Sequence, residues 1–221
     1  MMDQFNRSGQ DIKDVFNRIG QDIKDIIEPF VNLPIDKCRL CDLKGRNYAF
    51  PRIVRGKDPK VMIIGEAPGR EEARYHLSFI GRSGKELDRW IEYMHLTNYY
   101  ITNVVKHRPV ENDKDRPPTD EEIGSCITYL VKEIISEKPD LILTLGNPAS
   151  HALGSTLPIS KSIDVYLHEP HYYRDSNIRV LSLFHPSYVL RKKNEQGYEE
   201  FTAKLLYYLD SIRAIIDGME E

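Results

Sequence analysis

The sequence lacks any long hydrophobic run, which excludes membrane-spanning proteins. No apolar stretch in its 221 residues approaches the roughly 20 residues of a membrane span. Its first residues are polar and contain no apolar core of a secretory signal peptide. We therefore expect a cytoplasmic protein that does not bind membranes.

An excess of positive charge is also absent. The 31 Lys and Arg residues are outnumbered by 34 Asp and Glu, which gives a net charge of -3. The molecule as a whole is therefore not a basic nucleic-acid binder. Local basic clusters indicate either an ordinary solvated surface or a rim that contacts phosphates. The three clusters are Arg52, Arg55, Lys57 and Lys60; Lys106, His107 and Arg108; and Arg191, Lys192 and Lys193.

Cysteine is scarce, with three in the whole chain. Cys38 and Cys41 form a C-x-x-C pair, which in an intracellular chain indicates metal, cluster or redox chemistry rather than a structural disulfide. Nothing before Cys38 has a strand pattern, so a metal site is favoured over a redox motif. With Cys126, three thiolates leave one ligand position for His107. Such a set suits zinc, whereas iron–sulfur clusters usually take four cysteines; Cys126 as an inert buried thiol is the alternative.

Residues 1–34 form an extension with an internal repeat. Residues 5–15 and 16–26 differ at only two of eleven positions, and their apolar residues recur at steps of three and four. This spacing predicts an amphipathic helix. Such a helix either packs on the rest of the protein or provides a surface for self-association or a protein partner.

Residues 35–221 read as a single α/β domain. Short apolar runs at 61–64, 99–105, 141–145 and 180–184 alternate with amphipathic stretches at 83–95, 119–136 and 199–216. Alternating strands and helices predict a three-layer α/β/α fold with a central, mostly parallel four-stranded sheet. The charged and proline-rich stretch 107–118 and residues 168–178 are predicted loops.

Polar turns follow three of the predicted strands. They are Gly65-Glu66-Ala67-Pro68-Gly69, Asn103, and His185-Pro186-Ser187. An open α/β sheet places its ligand crevice at the carboxyl ends of its strands. A carboxylate, an amide and an imidazole gathered there suit a pocket that reads a planar polar base and stabilises negative charge leaving it.

Four motifs occur in a fixed order along the chain: Gly65-Glu-Ala-Pro-Gly69, Phe79-Ile-Gly81, Thr102-Asn-Val-Val-Lys106 and His185-Pro-Ser187. Together they resemble the iron–sulfur class of uracil-DNA glycosylases, often called family 4. The likeness runs from about Ile35 to the final helix and leaves out the repeat.

The resemblance implies a role for each matching residue. Phe79 is similar to the aromatic that stacks on a flipped base, Asn103 to the amide that reads the base edge, and His185 to the imidazole that stabilises the departing base anion. Glu66 matches the turn that positions water or sugar. Further implied contacts are Ala67, Glu72 and Ser187 with the substrate, and Tyr188, Val189, Leu190 and Arg191 as a loop that wedges into the duplex.

The resemblance also implies a cofactor. Cys38, Cys41, His107 and Cys126 fall where the family carries its four cluster ligands. A 4Fe-4S cluster held by three Cys and one His is therefore expected, with zinc as the alternative. The family has Cys at the position of His107.

The implied activity is that of a monofunctional DNA glycosylase. Such an enzyme flips uracil, or a related modified base, out of DNA and hydrolyses the N-glycosidic bond to leave an abasic site, as in base-excision repair. No lysine within the motifs is placed as a nucleophile. Ala73 stands where the family has Asp, and the loop 74–79, which shapes the base pocket, lacks the usual Gly and Pro. The alternatives are a glycosylase of this fold for another modified base, for instance in phage DNA, and a non-catalytic protein that senses a base.

Overall fold

The computed structural model describes residues 35–43, 47–154, 171–173 and 176–219. The predicted repeat helix lies outside these residues, so it stays a prediction. The strands are β1 (Arg52–Val54), β2 (Val61–Gly65), β3 (Tyr99–Asn103), β4 (Val110–Glu111), β5 (Lys114–Asp115), β6 (Leu141–Leu145), β7 (His171–Tyr172) and β8 (Arg179–Leu183). The α-helices are α1 (Arg70–Tyr75), α2 (Arg82–Tyr93), α3 (Asp120–Glu137), α4 (Asn147–Ala152), α5 (Pro186–Lys192) and α6 (Tyr198–Asp217).

The main sheet has the strand order β1-β3-β2-β6-β8-β7. Its four central strands run parallel and are the four that the apolar runs predict. The structure adds β1 and β7, two short antiparallel strands at the edges. The mostly parallel four-stranded sheet is thus confirmed as the centre of a six-stranded one.

The core lies on both faces of this sheet. Along β2, Val61 and Ile63 join one cluster while Met62 and Ile64 join the other, because successive strand residues point to opposite faces. Apolar residues of α2 and α6 complete the first cluster, and those of α3 complete the second. This arrangement confirms the three-layer α/β/α fold.

Local sequence signals fix the start of helix α3 and the turn between β4 and β5. Thr119 and Glu122 form a capping box at the start of α3, in which each side chain accepts from the other residue's backbone N–H. The predicted loop 107–118 contains the hairpin β4–β5. Asn112 and Asp113 at its tip both have positive φ, as a tight two-residue hairpin turn requires.

The register brings the ends of the parallel strands together. Gly65 pairs with Asn103, and Leu145 pairs with Leu183. The turns that follow β2, β3, β6 and β8 therefore lie along one edge of the sheet. No helix in the described ranges is both long enough and apolar enough to span a membrane.

Candidate active site

A cavity of about 560 Å³ opens at the carboxyl edge of the parallel strands. A second space of about 450 Å³ adjoins it and shares four of its lining residues. The expected site residues that line the first are Glu66, Ala67, Glu72, Phe79, Asn103, His185, Ser187 and Arg191. The sequence-predicted turns after β2, β3 and β8 thus meet in one place.

His185 is the N-cap residue of α5. Its Nδ1 accepts a hydrogen bond from the backbone N–H of Ser187 at 3.1 Å and lies 2.8 Å from the Ser187 hydroxyl. Because a backbone N–H can only donate, we assign Nδ1 as an acceptor and place the proton of the neutral ring on Nε2. Nε2 makes no hydrogen bond within the part of the chain that the structure describes. It is therefore a donor left for a ligand in the cavity.

The charge state of His185 follows from its surroundings. Burial, and to a smaller extent the Arg191 guanidinium, lower the pKa of His185 to about 4. The imidazole is neutral at physiological pH as a result. A neutral ring with its proton on Nε2 can donate to a developing anion.

Asn103 ends β3 and is only 3% exposed. Its amide Nδ2 donates to the Ser78 hydroxyl at 3.4 Å. The amide oxygen lies close to Gly65 on the neighbouring strand, where an added Cβ would stand 2.6 Å from it. The amide is thus held from two sides while it faces the cavity.

Phe79 covers the floor of the cavity. Its ring centroid is 5.9 Å from that of His185, and its backbone has a left-handed φ of 54°. Two glycines admit it: an added Cβ would stand 2.4 Å from its ring at Gly65 and 1.9 Å from its carbonyl oxygen at Gly84. Strand β2 and helix α2 therefore each need a glycine where they pack against Phe79.

Glu66 and Glu72, two of the carboxylates that line the cavity, differ in their hydrogen bonds. Burial raises the pKa of Glu66, and its carboxylate makes no hydrogen bond with any described residue. Glu72 instead accepts from the backbone N–H groups of Ile80 at 3.1 Å and Gly81 at 2.8 Å. Glu66 is the better proton acceptor, and Glu72 holds the backbone that follows Phe79.

The residues predicted as a wedge loop form helix α5 instead. Pro186 at its first turn and the His185 cap start a helix there. Tyr188 lines the space next to the cavity and stacks on Phe184, whereas Val189 is buried in the core. Leu190 is partly buried and lines neither space.

One contribution to the site is absent from the sequence prediction. Gly146, Asn147 and Pro148 follow β6 and line the space beside His185. Gly146 has a φ of 87°, and a Cβ there would stand 3.2 Å from the Cβ of His185. The signal was available, because Gly-Asn-Pro follows a buried strand like the other turns.

Two of the three basic clusters do not form a rim. Arg55 and Lys60 pair with Glu137 at the opposite, amino edge of the sheet. Lys106 is buried, and Arg108 does not line the cavity itself but pairs with Asp115, which does. Arginines from other segments lie at the cavity instead, and these are Arg70, Arg82, Arg116 and Arg191.

Among the predicted metal ligands, the three cysteines lie near one another, and Cys126 contacts the segment that follows β3. Burial is the main cause that raises the pKa of the Cys126 thiol to about 11. The Cys41 and Cys38 thiols also raise this pKa. The Cys126 Sγ accepts from the Lys106 backbone N–H at 3.4 Å. His107 is buried, which lowers its pKa, and its ring hydrogen-bonds the Ile35 backbone. A ring nitrogen held in this way leaves the other one to act as a ligand.

A set of three thiols and one imidazole is chemically compatible with zinc or with an iron–sulfur cluster. In the described ranges, no group of three or more His, Cys, Asp or Glu side chains is gathered so that it could hold one metal ion.

Known proteins resemble this chain over most of its length. The model of the uracil DNA glycosylase superfamily matches residues 53–209. The type-4 uracil-DNA glycosylase of Archaeoglobus fulgidus is 30% identical over 177 residues, covering 77% of this chain and 87% of that protein. That of Thermotoga maritima is 31% identical over 175 residues, covering 73% and 82%. That of Saccharolobus solfataricus is 40% identical over 123 residues, covering 54% and 55%. Because the superfamily model matches residues 53–209 and type-4 enzymes at 30% and 31% identity cover most of the chain, the chain belongs to the uracil-DNA glycosylase superfamily, in the type-4 family.

Proposed function

We propose that the protein is a monofunctional uracil-DNA glycosylase that flips uracil out of DNA and hydrolyses its N-glycosidic bond. The observation that carries this proposal is the pairing of a neutral His185, with its Nε2 proton free for a ligand, and the buried Asn103 amide in one cavity. The type-4 relatives carry the name of that activity.

The base is recognised before the bond breaks. Extruding a nucleotide from the duplex costs a few kcal/mol, and stacking on the Phe79 ring offsets part of it. The Asn103 amide both donates and accepts, so it distinguishes the edge of uracil from that of cytosine. Its bond to Ser78 helps to fix its orientation.

Bond cleavage then puts negative charge on the base and positive charge on the sugar. The Nε2–H of His185 donates to the base carbonyl as this charge develops, which lowers the barrier by about 3 kcal/mol if it acts like one oxyanion donor. Glu66, whose pKa burial raises, accepts the proton of the attacking water. Water adds to the sugar carbon, the base leaves with the bonding electrons, and an abasic site remains.

The position of the nearest lysine disfavours a lyase step, in which a lysine amine would attack the sugar. No lysine lines the cavity or the space beside it among the described residues. The Lys106 ammonium is 1% exposed and ion-paired, so it cannot attack the sugar. This supports hydrolysis with water alone.

The structure weakens the argument that Ala73 and the altered loop indicate a base other than uracil. Of residues 73–78, none lines the cavity, and Ala73 is buried on α1. Phe79 is the residue of the loop 74–79 that lines the cavity, so the loop contributes to the pocket through its last residue. Ser78 accepts from the Asn103 amide, and the backbone N–H groups of His76 and Leu77 donate to the Glu72 carbonyl.

The proposal is tested by base release in single turnover. Matched single- and double-stranded oligonucleotides containing uracil, thymine, cytosine or a modified pyrimidine are incubated with excess protein, and abasic sites are counted after alkali. Release confined to uracil supports the proposal. Release of another base but not uracil, or of none, contradicts it.

Arg82 is proposed to contact DNA phosphate. It is exposed at the start of α2, lines the cavity and has no ion-pair partner among the described residues. Arg82→Ala is expected to weaken DNA binding at every sequence and to lower the slope of log affinity against log salt by about one. Arg89→Ala, on the same helix but paired with Glu86, is the control. An unchanged slope in Arg82→Ala would exclude a phosphate contact.

We further propose that Cys38, Cys41, Cys126 and His107 hold an iron–sulfur cluster. The set offers three thiols and one imidazole oriented by the Ile35 backbone. A bound cluster would join the segment around Cys38 to the segment after β3 and to α3, and this chain's residues alone perform the hydrolysis. Protein purified without oxygen is expected to be brown and to contain iron. Cys126→Ser is expected to lose most of that iron, and a colourless wild type containing zinc would contradict the proposal.

A further inference from the structure

Lys106 places a charged group in the interior next to the site. Its side chain is 1% exposed. The ammonium donates to the Thr102 hydroxyl at 2.8 Å, the Asn103 backbone carbonyl at 2.6 Å and the Glu133 carboxylate at 2.7 Å. All three donors of the ammonium are thus used, and the charge is balanced.

The hydrogen bond from Lys106 to the Asn103 backbone carbonyl connects this ion pair to the site. Asn103 is the last residue of β3, and its side chain faces the cavity. The carbonyl of a strand's last residue has freedom to rotate unless it is held. Lys106 holds it from below, while Val104 N–H bonds the Gly65 carbonyl at 2.9 Å on the neighbouring strand.

Glu133 anchors the lysine to α3. Its carboxylate also hydrogen-bonds the Tyr100 hydroxyl, so it ties β3 to the helix at two points. Removing the ammonium would leave a buried carbonyl and a partly buried carboxylate without their partner, which buried polar groups tolerate poorly. The backbone at Asn103 would then turn to find another donor.

We infer that Lys106, balanced by Glu133, is a positioning residue that sets the orientation of the Asn103 amide toward the base. The inference rests on the proposed function, because it concerns how that site reads its substrate. Lys106 itself touches neither base nor sugar. Lys106 acts through its hydrogen bond to the backbone carbonyl of Asn103, at the end of β3.

The test compares Lys106→Met with wild type. Met keeps the apolar stem and removes all three donors. A displaced Asn103 is expected to lower the single-turnover rate by about 100-fold, to weaken inhibition by free uracil and to reduce the preference for uracil over cytosine. Asn103→Ala is expected to change the same three quantities.

The control is a second lysine–glutamate pair, whose glutamate also lies on α3. Lys60 donates to Glu137 one turn beyond Glu133, at the amino edge of the sheet. Lys60→Met is expected to keep the wild-type rate and uracil inhibition. If Lys106→Met fails to fold, Glu133→Gln, which keeps volume and loses charge, is measured instead and is expected to shift uracil inhibition in the same direction.

The outcomes separate the inference from the proposed function. A wild type that releases no uracil overturns the proposed function and this inference with it. A wild type that releases uracil, together with a folded Lys106→Met whose uracil inhibition and base preference are unchanged, overturns the inference alone. A rate lowered only in proportion to the folded fraction does so too.

Discussion

His185→Asn is expected to lower the rate of base release by about 100- to 1,000-fold while the protein stays folded. Asn is a good N-cap residue, so its side chain can accept the Ser187 N–H that His185 Nδ1 accepts now. It is too short to present a donor where Nε2 stands. The variant therefore separates catalysis from helix capping, and single-turnover release with a thermal melt measures both.

His185→Ala supplies the comparison, because it removes both functions. It is expected to lose the same rate and, in addition, about 1 kcal/mol of stability through the lost cap. His95→Asn, at an exposed position after α2, is the control and is expected to keep the wild-type rate. A rate in His185→Asn within about tenfold of wild type would remove His185 from the mechanism.

The pH dependence follows from the lowered pKa of His185. Because that pKa is about 4, the ring stays neutral above about pH 5.5, and its titration adds no slope to the rate there. Below that range the ring takes up a proton, and Nδ1 can no longer accept from Ser187. A rate that rises or falls around pH 6.5 in wild type but not in His185→Asn would contradict the assignment.

Gly65→Ala is expected to reduce activity by about 100-fold through a single added methyl group. The new Cβ would stand 2.4 Å from the Phe79 ring and 2.6 Å from the Asn103 amide oxygen. Neither can retreat freely, because the Phe79 carbonyl lies against Gly84 and the Asn103 backbone is paired with Gly65 itself. The ring and the amide must move into the space that the base would occupy.

Stability is expected to fall less than activity. Overpacking of this kind costs about 1–3 kcal/mol, which a urea titration can measure. Gly124→Ala is the matched control, since a Cβ there meets nothing within 4 Å on the exposed face of α3. That change is expected to leave turnover intact and to raise stability slightly. Equal turnover in Gly65→Ala and Gly124→Ala would show that the floor of the cavity yields.

The strand ends could be predicted because their signals are local. Buried parallel strands are continuous apolar runs, and polar turns mark where they stop. Once four such strands are parallel, their ends must share an edge, so Asn103 and His185 had to lie at that edge, where both line the cavity. The antiparallel edge strands gave no such signal, because β1 has three residues and β7 has two.

Charged residues were the least predictable part of the site. A lysine in a sequence is usually solvated, so Lys106 was grouped with a surface cluster, although the fold places Glu133 beside it. The cluster at 52–60 lies beside a candidate site segment in the sequence, which left a phosphate-contacting rim open as one of its two interpretations. Its partner Glu137 comes from the far end of α3, and no local pattern shows that pairing.

The left-handed backbone of Phe79 constrains any redesign of the pocket. Side chains branched at Cβ are strained at positive φ, whereas Asn and His tolerate it better than most. A protein engineer who wishes to admit a bulkier base should therefore trim the ring with unbranched or amide side chains and avoid Val and Ile. The backbone conformation thus limits the choice of residue at position 79 before the fit of any base is considered.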